Sequence, residues 1–456
     1  MTIFNQEFPQ AIYTQRRNRV AKSILEKSGG GILIIDTAAE KYRNRDSDFP
    51  YRHDSDFYYL TGFNEPGATL VMIVNSNKTE TILFCRPKDL DREIWDGWRL
   101  GPEAAPQYLG INSAFSNASL DEKMPLQLAN QNAIFTRLIN AEPMNSQLKN
   151  WLNEVKGMAR TGANSPAALF DVETIIHEMR LFKDEHEIKI MRKAGNIAAQ
   201  GHIRAMQASR PGLREYHLEA ELLHAFRYAG AQSVAYNSIV ATGANACVLH
   251  HRAGNAELKD GDLCLIDAGC ELDGYASDIT RTFPVNGKFS GPQKAIYEIV
   301  LAAQEAAIEK TKPGLDFQAP HDAALRVLTQ GLLDLNLIDR SSIGSLDNAL
   351  ETKAYQRFYM HRTSHWLGMD VHDVGQYREP NSTTEPKAWR TLLPNMVLTI
   401  EPGLYIRKSD DVDPQYWDIG IRIEDDALVT NGTCELMSRD VPVSVNEIEY
   451  LMKHSS

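Results

Sequence analysis

Short apolar runs separated by turn residues dominate the first third of the chain. Strands are predicted at 32–36, 56–63, 68–74 and 81–85, because each run is rich in β-branched or aromatic residues and is bounded by glycine, proline or asparagine. A polar helix is predicted over 10–28, where three glycines follow. Together these elements predict an α/β N-terminal domain.

The second half of the chain combines longer helical stretches with short apolar runs. Helices are predicted at 184–208, 214–229, 291–311 and 317–333. Antiparallel strands are predicted for the runs LCLIDAG, YASDITRTF, MVLTIEP, IGIRIEDDALVT and NEIEYLM. Helices that are segregated from strands in this way favour an α+β domain over a doubly wound parallel sheet.

A helical stretch without proline is predicted over 171–208, after the loop-forming segment TGANSP. We therefore expect the domain boundary near the start of this stretch. The N-terminal domain is predicted to span residues 1–175 and the C-terminal domain residues 176–456.

Composition narrows the class of protein. A chain of 456 residues with 43% hydrophobic and 24% charged residues has room for two or three ordinary globular domains. The net charge of −12, with no basic stripe, argues against a nucleic-acid partner. The five cysteines are odd in number and form no CxxC motif, which excludes a disulfide framework or zinc ribbon. No signal-peptide or membrane-spanning run is present, so we expect a cytoplasmic protein without a membrane partner.

Side chains able to bind metal are spread over four short segments of the second half. They are Asp267, Asp278, His365, Glu401 and Glu424. Four carboxylates and one imidazole suit two divalent cations, which can activate water and polarise a carbonyl group. This donor set favours Mn²⁺, Co²⁺ or Fe²⁺, with Zn²⁺ as an alternative. The absence of HExxH and GxSxG motifs removes the common single-zinc peptidase and serine hydrolase signatures.

The first two segments bring several of these groups together. Asp267 ends an apolar strand and Asp278 is expected on the next strand, so a hairpin would direct both carboxylates to one point. His361, His365 and His372 lie within twelve residues, and we take His365 as the ligand and the others as lining the pocket.

The last two segments supply glutamates at strand ends. Glu401 follows a run of apolar and β-branched residues, and a buried carboxylate needs a cation or a proton. Alternation puts Glu424 and Arg422 on one face of a strand, where the guanidinium can hold the ligand carboxylates in place. Taken singly, Glu401 also fits an ordinary edge-strand glutamate before a turn, and Glu424 with Arg422 also fits a surface salt bridge.

These segments together resemble the Xaa-Pro aminopeptidases (aminopeptidase P), which are dinuclear metallopeptidases of the pita-bread fold. DAGCELDGYASDITRTFPVNGKFS, MHRTSHWLGMDVHDVG, LTIEPGLYI and GIRIEDD are similar to the family's metal motifs in order, and FPYRHDSDFYYLTGFNEPGATLV resembles its N-terminal domain. The resemblance implies an α+β pita-bread catalytic domain and an α/β N-terminal domain with roles in oligomerisation and site access. It also implies hydrolysis of the N-terminal Xaa-Pro bond of peptides by a hydroxide that bridges two metal ions, preferably Mn²⁺, in a homodimer or homotetramer.

The resemblance assigns a role to each ligand. Asp267 would chelate one metal ion, while Asp278 and Glu424 would bridge both. His365 and Glu401 would complete the shell of the other ion, and Glu401 would also accept a proton from the attacking water.

The resemblance also implies substrate-contacting residues. These are His250, His361 and His372, with Tyr236 lining the cleft and Arg422 beside the bridging glutamate. His372 would stabilise the oxyanion, either a carboxylate or His250 would protonate the leaving nitrogen, and His361 would contact the proline ring.

Some positions cannot be assigned from the resemblance. His251 is an alternative to His250. Trp95 is the candidate for a tryptophan that in the family can approach a neighbouring subunit's site. Arg378 and Arg390, in the irregular segment 376–391, have no clear counterpart.

Other members of the fold remain as alternatives. Prolidase shares the five ligands but typically has a longer insertion between the two glutamates, which here are joined by a short loop. Methionine aminopeptidase generally lacks so large an N-terminal domain. The intact ligand set disfavours both the metal-free creatinase and a catalytically silent binding protein.

Overall fold

We describe a computed structural model of the chain, which covers residues 9–139 and 143–454. The chain divides into two compact units, Met1–His177 and Glu178–Ser456. Among the described helices, none combines the length and the apolar character needed to cross a membrane.

The N-terminal unit is built around a mixed sheet. Its strands are β1 Gly31–Asp36, β2 Tyr42–Asn44, β3 Ser47–Asp48, β4 Thr69–Asn75, β5 Lys78–Cys85, β6 Ser113–Ser116, β7 Ala133–Thr136 and β8 Ala168–Asp171. The sheet order is β6-β5-β4-β1-β7-β8, with antiparallel pairs in the middle and parallel pairs outside, while β2 and β3 form a separate hairpin. Its helices are α1 Gln10–Ser28, α2 Ser55–Thr61, α3 Leu90–Asp96, α4 Gly101–Leu109, α5 Leu120–Leu128 and α6 Met144–Gly157, and the boundary after His177 falls within the next helix, α7 Glu173–Leu181. The α/β character predicted for this half is therefore present.

One predicted strand in this unit is wrong. The run at 56–63 forms helix α2 instead. The Asp54 side chain caps the helix by accepting a hydrogen bond from the Phe57 N–H at 2.9 Å, and Gly62 ends it in the left-handed region at φ 65°. A cap at each end outweighs the strand preference of the aromatic residues between them.

The C-terminal unit carries several small sheets with helices packed against them. Its strands are β9 Ser233–Val234, β10 Ile239–Thr242, β11 Leu263–Asp267, β12 Cys270–Leu272, β13 Tyr275–Ala276, β14 Thr280–Pro284, β15 Val397–Ile400, β16 Gly403–Ile406, β17 Ile419–Arg422, β18 Asp425–Val429 and β19 Cys434–Leu436. The strand orders are β10-β11-β14, β13-β12-β9, β15-β18-β19 and β16-β17, and every pair is antiparallel. The predicted α+β organisation is confirmed.

The helices of this unit are α8 Glu185–Ala208, α9 Glu215–Tyr228, α10 Gly291–Lys310, α11 Ala319–Asp334, α12 Arg340–Ile343, α13 Leu346–Glu351 and α14 Val445–Lys453. The first four, α8 to α11, match the four predicted helices to within two residues at each end. The predicted continuous stretch over 171–208 is broken between α7 and α8, because Asp184 and Glu187 form a capping box that starts a new helix.

Helix α14 replaces a predicted strand. The run NEIEYLM alternates apolar and polar residues at its start, but Ser444 and Glu447 form a capping box just before it. The reciprocal hydrogen bonds satisfy two otherwise unpaired N–H groups at the helix start. This local signal, and not the alternation, decides the conformation.

Two predicted strands are interrupted where they carry a predicted ligand. YASDITRTF is divided into β13 and β14, and Asp278 lies in the gap between them, not on a strand as expected. IGIRIEDDALVT is divided into β17 and β18, with Glu424 in the gap. Each break leaves the carboxylate at a strand end, where a turn of the backbone can direct it into a pocket.

Candidate metal centre

Strand pairing brings three of the predicted ligands to one place. Asp267 is the last residue of β11 and pairs with Thr280, the first residue of β14. Asp278 therefore lies two residues before the partner of Asp267. The Glu424 N–H donates to the Thr280 carbonyl at 3.0 Å, so the start of β18 joins the same edge.

Backbone hydrogen bonds bring the remaining two ligands to this edge. The Thr399 N–H donates to the His365 carbonyl at 3.0 Å, and the Glu401 N–H donates to the Thr363 carbonyl at 2.8 Å. The His365 segment thus runs beside the end of β15, which Glu401 follows. Two separate parts of the chain contribute one ligand each at neighbouring positions.

The ligand atoms lie within reach of common cations. Atoms of Asp278, His365 and Glu424 all lie within 4.8 Å of one another. His365 Nε2 is 3.5 Å from Asp278 Oδ2 and 3.6 Å from Glu401 Oε1. Asp267 is joined to this group by the Tyr236 hydroxyl, which donates to Asp267 Oδ1 at 2.6 Å and also contacts Asp278 Oδ1.

The orientation of His365 suits a metal ligand. Its Nδ1–H donates to the Trp366 carbonyl at 2.9 Å, which directs Nε2 toward the carboxylates. Burial alone would lower the pKa of His365, but Asp278 and Glu401 together raise it to about 9. The negative charges of Asp278 and Glu401 that raise the pKa of His365 would also attract a metal cation toward Nε2.

The carboxylates are held in an environment that disfavours uncompensated negative charge. Burial, followed by repulsion from Asp278 and Glu401, raises the pKa of Glu424 well above its usual value. Burial raises the pKa of Glu401 to about 7. Three buried acids and the partly buried Glu401 around one imidazole are costly without cations, and two divalent ions would neutralise them. The donor set therefore fits divalent cations.

Arg422 holds the carboxylates from behind. Its Nη2 donates to Asp267 Oδ2 at 2.6 Å, its Nε donates to the Thr280 hydroxyl at 3.2 Å, and its Nη1 donates to the Tyr405 hydroxyl at 2.9 Å. The Thr280 hydroxyl in turn donates to Glu424 Oε2 at 2.6 Å. Arg422 thus lies beside the carboxylates as expected, although the strand on which the alternation placed it with Glu424 ends at Arg422. The hydrogen bonds that Thr280 and Tyr405 make to Glu424 and Arg422 were not predicted, although Thr280 lies only two residues after Asp278.

His361 lies in the pocket with both ring nitrogens engaged by the protein. Nδ1 donates to the Arg362 carbonyl at 2.7 Å, which leaves Nε2 to accept from the Tyr405 hydroxyl at 2.8 Å. Burial, with a smaller effect of Arg422, lowers the pKa of His361 to about 3. The imidazole of His361 is therefore neutral, and it lines the cavity with both nitrogens hydrogen-bonded to the protein.

A cavity of about 790 Å³ opens over the carboxylate cluster. His250 and His372 are on its wall, and the His365 and His372 ring centroids are 4.1 Å apart. Burial, with the neighbouring His365 and His250, lowers the pKa of His372, so its imidazole is neutral near pH 7. His251 is turned away and contacts Glu215 Oε2 at 2.9 Å, so His250 is the histidine of this pair at the pocket.

The irregular segment 376–391 supplies an apolar wall that the sequence did not reveal. Tyr377 and Trp389 line the cavity together with Phe317. The Arg378 guanidinium stacks 3.3 Å from the centroid of the Trp389 ring, and this contact fixes the tryptophan beside the cavity. Arg390 instead forms an ion pair with Glu178.

Two histidines outside the carboxylate cluster, the buried His202 and the partly buried His321, predict acid sensitivity. Burial lowers the pKa of His202 to about 4, and burial with Arg362 lowers that of His321 to about 4. In the unfolded chain both titrate near 6.5, so the unfolded state binds more protons below that pH. Their contribution to stability is complete above about pH 6.5 and is lost as the pH falls toward 4, at about 1.4 kcal/mol per pKa unit for each ring.

The measurement is the urea unfolding midpoint of metal-stripped protein between about pH 7 and pH 4. The matched variant is His321→Gln, whose amide can keep the bond to the Thr363 hydroxyl but does not titrate. We expect a shallower loss of stability with acid in the variant. Equal slopes for the two proteins would contradict the assignment of His321 as a neutral, partly buried ring.

Comparisons with known proteins agree with this geometry. Residues 189–431 match the model of metallopeptidase family M24, and residues 13–135 match the aminopeptidase P N-terminal domain. The chain is 42% identical over 446 residues to the Xaa-Pro aminopeptidase of Haemophilus influenzae, covering 98% of each chain. It is 41% identical over 451 residues to the Escherichia coli Xaa-Pro aminopeptidase, covering 99% of this chain and 98% of that one.

Solved structures show the same fold. Aminopeptidase PepP of Pseudomonas aeruginosa superposes with a TM-score of 0.93 at 45% identity, covering 98% of this chain and 99% of that one. Zinc-substituted E. coli aminopeptidase P in complex with product gives a TM-score of 0.93 at 40% identity, covering 99% of this chain and all of the other. The small antiparallel sheets and flanking helices of the C-terminal unit are therefore the pita-bread fold. The chain belongs to metallopeptidase family M24, and within that family to the aminopeptidase P group.

Proposed function

We propose that this metallopeptidase removes the N-terminal residue from peptides whose second residue is proline. The observation that carries this proposal is one cavity in which the buried carboxylate cluster lies beside an aromatic wall of Phe317, Tyr377 and Trp389. A proline ring offers no N–H for a hydrogen bond, so an apolar surface is the means to recognise it. The relatives at 41–42% identity that carry the name Xaa-Pro aminopeptidase support the same substrate class.

The predicted ligands would hold two divalent cations, and we propose Mn²⁺ as the resident metal. The bound cations would supply an activated water and polarise the scissile carbonyl. Asp267, Asp278, His365, Glu401 and Glu424 are the proposed ligands. The predominance of oxygen donors favours Mn²⁺ over softer ions, although a zinc-substituted relative has been described. A cytoplasmic location stays a prediction of the sequence.

The neutral histidines on the wall of the cavity have separate proposed roles. His372 would donate a hydrogen bond to the carbonyl oxygen as negative charge develops there, and a lowered pKa suits a neutral donor. His361, whose nitrogens are both engaged, would act through its ring face and pack against the proline ring. Tyr236, whose pKa burial raises well above the usual value, stays protonated and keeps its hydroxyl on the aspartates.

Proton transfer would use groups at the edge of the cavity. We assign Glu401 as the acceptor of the water proton, because it lies at a strand end with its carboxylate toward the cavity. The proline nitrogen must gain a proton as the peptide bond breaks. Glu401 or His250, which also lies on the cavity wall, would supply it.

The test is release of the N-terminal amino acid from three peptides. They are an Xaa-Pro-Yaa tripeptide, an Xaa-Pro dipeptide and an Xaa-Ala-Yaa tripeptide, each given to metal-stripped and Mn²⁺-reconstituted protein. We expect Mn²⁺-dependent cleavage of the proline tripeptide, with poor cleavage of the dipeptide and none of the alanine peptide.

Other outcomes would change the proposed function. Preference for the dipeptide would indicate a prolidase. Cleavage by metal-free protein would contradict the metal mechanism and favour a metal-independent member of the fold. Two bound metal ions without cleavage of any peptide would indicate a binding protein.

We further propose that the N-terminal unit mediates assembly into a homodimer or homotetramer. Helix α3 has no buried residue among its seven, and its apolar side chains Leu90, Ile94 and Trp95 are exposed by 79%, 79% and 84%. Three large apolar side chains on one short helix are unusual on a free surface and are typical of an interface. This surface also makes Trp95 available to a second copy of the chain.

The test is the mass of the particle in solution, measured by light scattering. Ile94→Glu places a charge in the exposed apolar face, and we expect it to shift the protein toward the monomer. Leu126→Glu is the control, because that side chain is also exposed, by 69%, but lies on a different helix. An unchanged mass for Ile94→Glu, or a monomeric wild type, would overturn the proposal.

A further inference from the structure

A buried carboxylate lies behind the pocket wall that carries His250. Glu215 is the first residue of α9, and its side chain is fully buried. It does not line the cavity, so its position gives it no direct contact with a bound substrate or metal ion. A buried carboxylate is costly unless its lone pairs are satisfied, so its partners identify what it stabilises.

All four hydrogen bonds described for this carboxylate come from one loop. Oε1 accepts from the Thr242 N–H at 3.0 Å and from the Asn245 side-chain amide at 2.9 Å. Oε2 accepts from the Gly254 N–H at 2.9 Å and contacts His251 Nε2 at 2.9 Å. Glu215 therefore ties together the beginning and the end of the segment 242–254, which we call the His250 loop.

The His250 loop forms one wall of the cavity. Leu249, His250 and Arg252 line the cavity, whereas His251 between them points back to Glu215. Leu249 and His250 form a turn that the His251 N–H closes by donating to the Val248 carbonyl at 3.2 Å, so the bond between His251 and Glu215 anchors the end of the turn that presents His250 to the cavity. The backbone bonds of Glu215 and Tyr216 to Ala256 and Gly254 add to the same attachment.

We infer that Glu215 is a positioning residue for the reaction: through His251 and the loop ends, it sets where His250 stands relative to the substrate. This inference rests on the proposed function. Small displacements of a catalytic group are expensive, since about 1 Å can cost about 10²-fold in rate. A single carboxylate with four converging donors is a stiff attachment, because moving the loop would leave a buried charge without partners.

Glu215→Gln is the direct test, because it keeps the shape of the side chain. The new NH₂ group must face one pair of N–H donors, so half of the attachment is lost. We expect kcat/KM for an Xaa-Pro-Yaa tripeptide to fall about 10²-fold while two metal ions stay bound. Glu221→Gln on the same helix is the control, since Glu221 only pairs with the partly exposed Arg204. This control is expected to retain wild-type activity.

A double-mutant cycle distinguishes positioning from a general loss of stability. If Glu215 acts through His250, then Glu215→Gln should add little to the loss caused by His250→Ala. Additive losses would overturn the inference. His251→Gln can still donate a hydrogen bond to Glu215, whereas His251→Ala cannot. We therefore expect His251→Gln to be clearly more active than His251→Ala. Equal activities of those two variants would also count against it.

Hydrogen exchange gives a readout that does not depend on activity. The amides of Thr242 and Gly254 both donate to Glu215, so both should exchange faster in Glu215→Gln than in wild type. Unchanged exchange would overturn the attachment itself. If the wild type cleaves no Xaa-Pro peptide, the proposed function fails and the catalytic half of this inference fails with it, while the exchange result still decides whether Glu215 holds the loop.

Discussion

Replacing Glu424 with glutamine is expected to remove at least one metal ion and to lower the rate of peptide cleavage by at least about 10³-fold. The carboxylate is 2% exposed, lies within 4.8 Å of ligand atoms of Asp278 and His365, and receives a 2.6 Å hydrogen bond from the Thr280 hydroxyl. An amide of the same shape supplies one oxygen and no charge, so the proposed carboxylate ligand shared by two cations would be lost.

Glu435→Gln is the matched control for this change. Glu435 lies on β19, next to the strand that follows Glu424, but pairs with Arg192 on a partly exposed surface. The measurements are bound metal per chain and the steady-state rate on an Xaa-Pro-Yaa tripeptide. A Glu424→Gln protein with two metal ions and wild-type activity would show that the dinuclear assignment is wrong.

Removing the Asp373 carboxylate should destabilise the C-terminal unit by about 3–5 kcal/mol. The side chain is fully buried and accepts hydrogen bonds from Lys183 Nζ at 2.9 Å and Arg180 Nη2 at 2.6 Å. Lys183 and Arg180 are themselves 1% and 2% exposed, so Asp373→Ala removes a carboxylate from two buried cations, of which Arg180 keeps its 2.8 Å ion pair with Asp370. Because Asp373 follows His372, the same ion pairs also hold the segment that carries this histidine.

Urea unfolding measures this loss, and a second substitution tests its cause. Asp373→Ala combined with Lys183→Met removes the buried cation that loses its ion pair with Asp373, so the double variant should recover part of the stability. Asp347→Ala is the control, since it removes an exposed pair with Arg326 and should leave the midpoint unchanged. An Asp373→Ala midpoint equal to that of the wild type would contradict the account.

The sequence was sufficient to predict which residue types meet in the candidate metal centre, but not how they are arranged. The five ligands stand in short segments with clear turn residues, and most strands that carry or precede them were predicted. The gaps around Asp278 and Glu424 were not, because uninterrupted alternation reads as one strand. The supporting hydroxyls of Thr280 and Tyr405 were also missed, since their role depends on pairing between distant segments.

Local capping explains the errors in secondary structure. The aromatic run in α2 and the alternating run in α14 both read as strands, yet each begins at a side chain that caps a helix. The aromatic wall could not be predicted, because Tyr377 and Trp389 come from an irregular segment without periodicity. The choice between His250 and His251 likewise required the position of Glu215, which lies 35 and 36 residues earlier in the chain.

The central claim is that two divalent cations held by the buried carboxylate cluster carry out Xaa-Pro cleavage. Titrating metal-stripped protein with Mn²⁺, while recording bound metal and cleavage of an Xaa-Pro-Yaa tripeptide in the same samples, tests it most directly. The account predicts no cleavage without metal and a rate that rises with binding and levels off at two ions per chain. Full cleavage by the metal-free protein, or two bound ions with no cleavage, would contradict it.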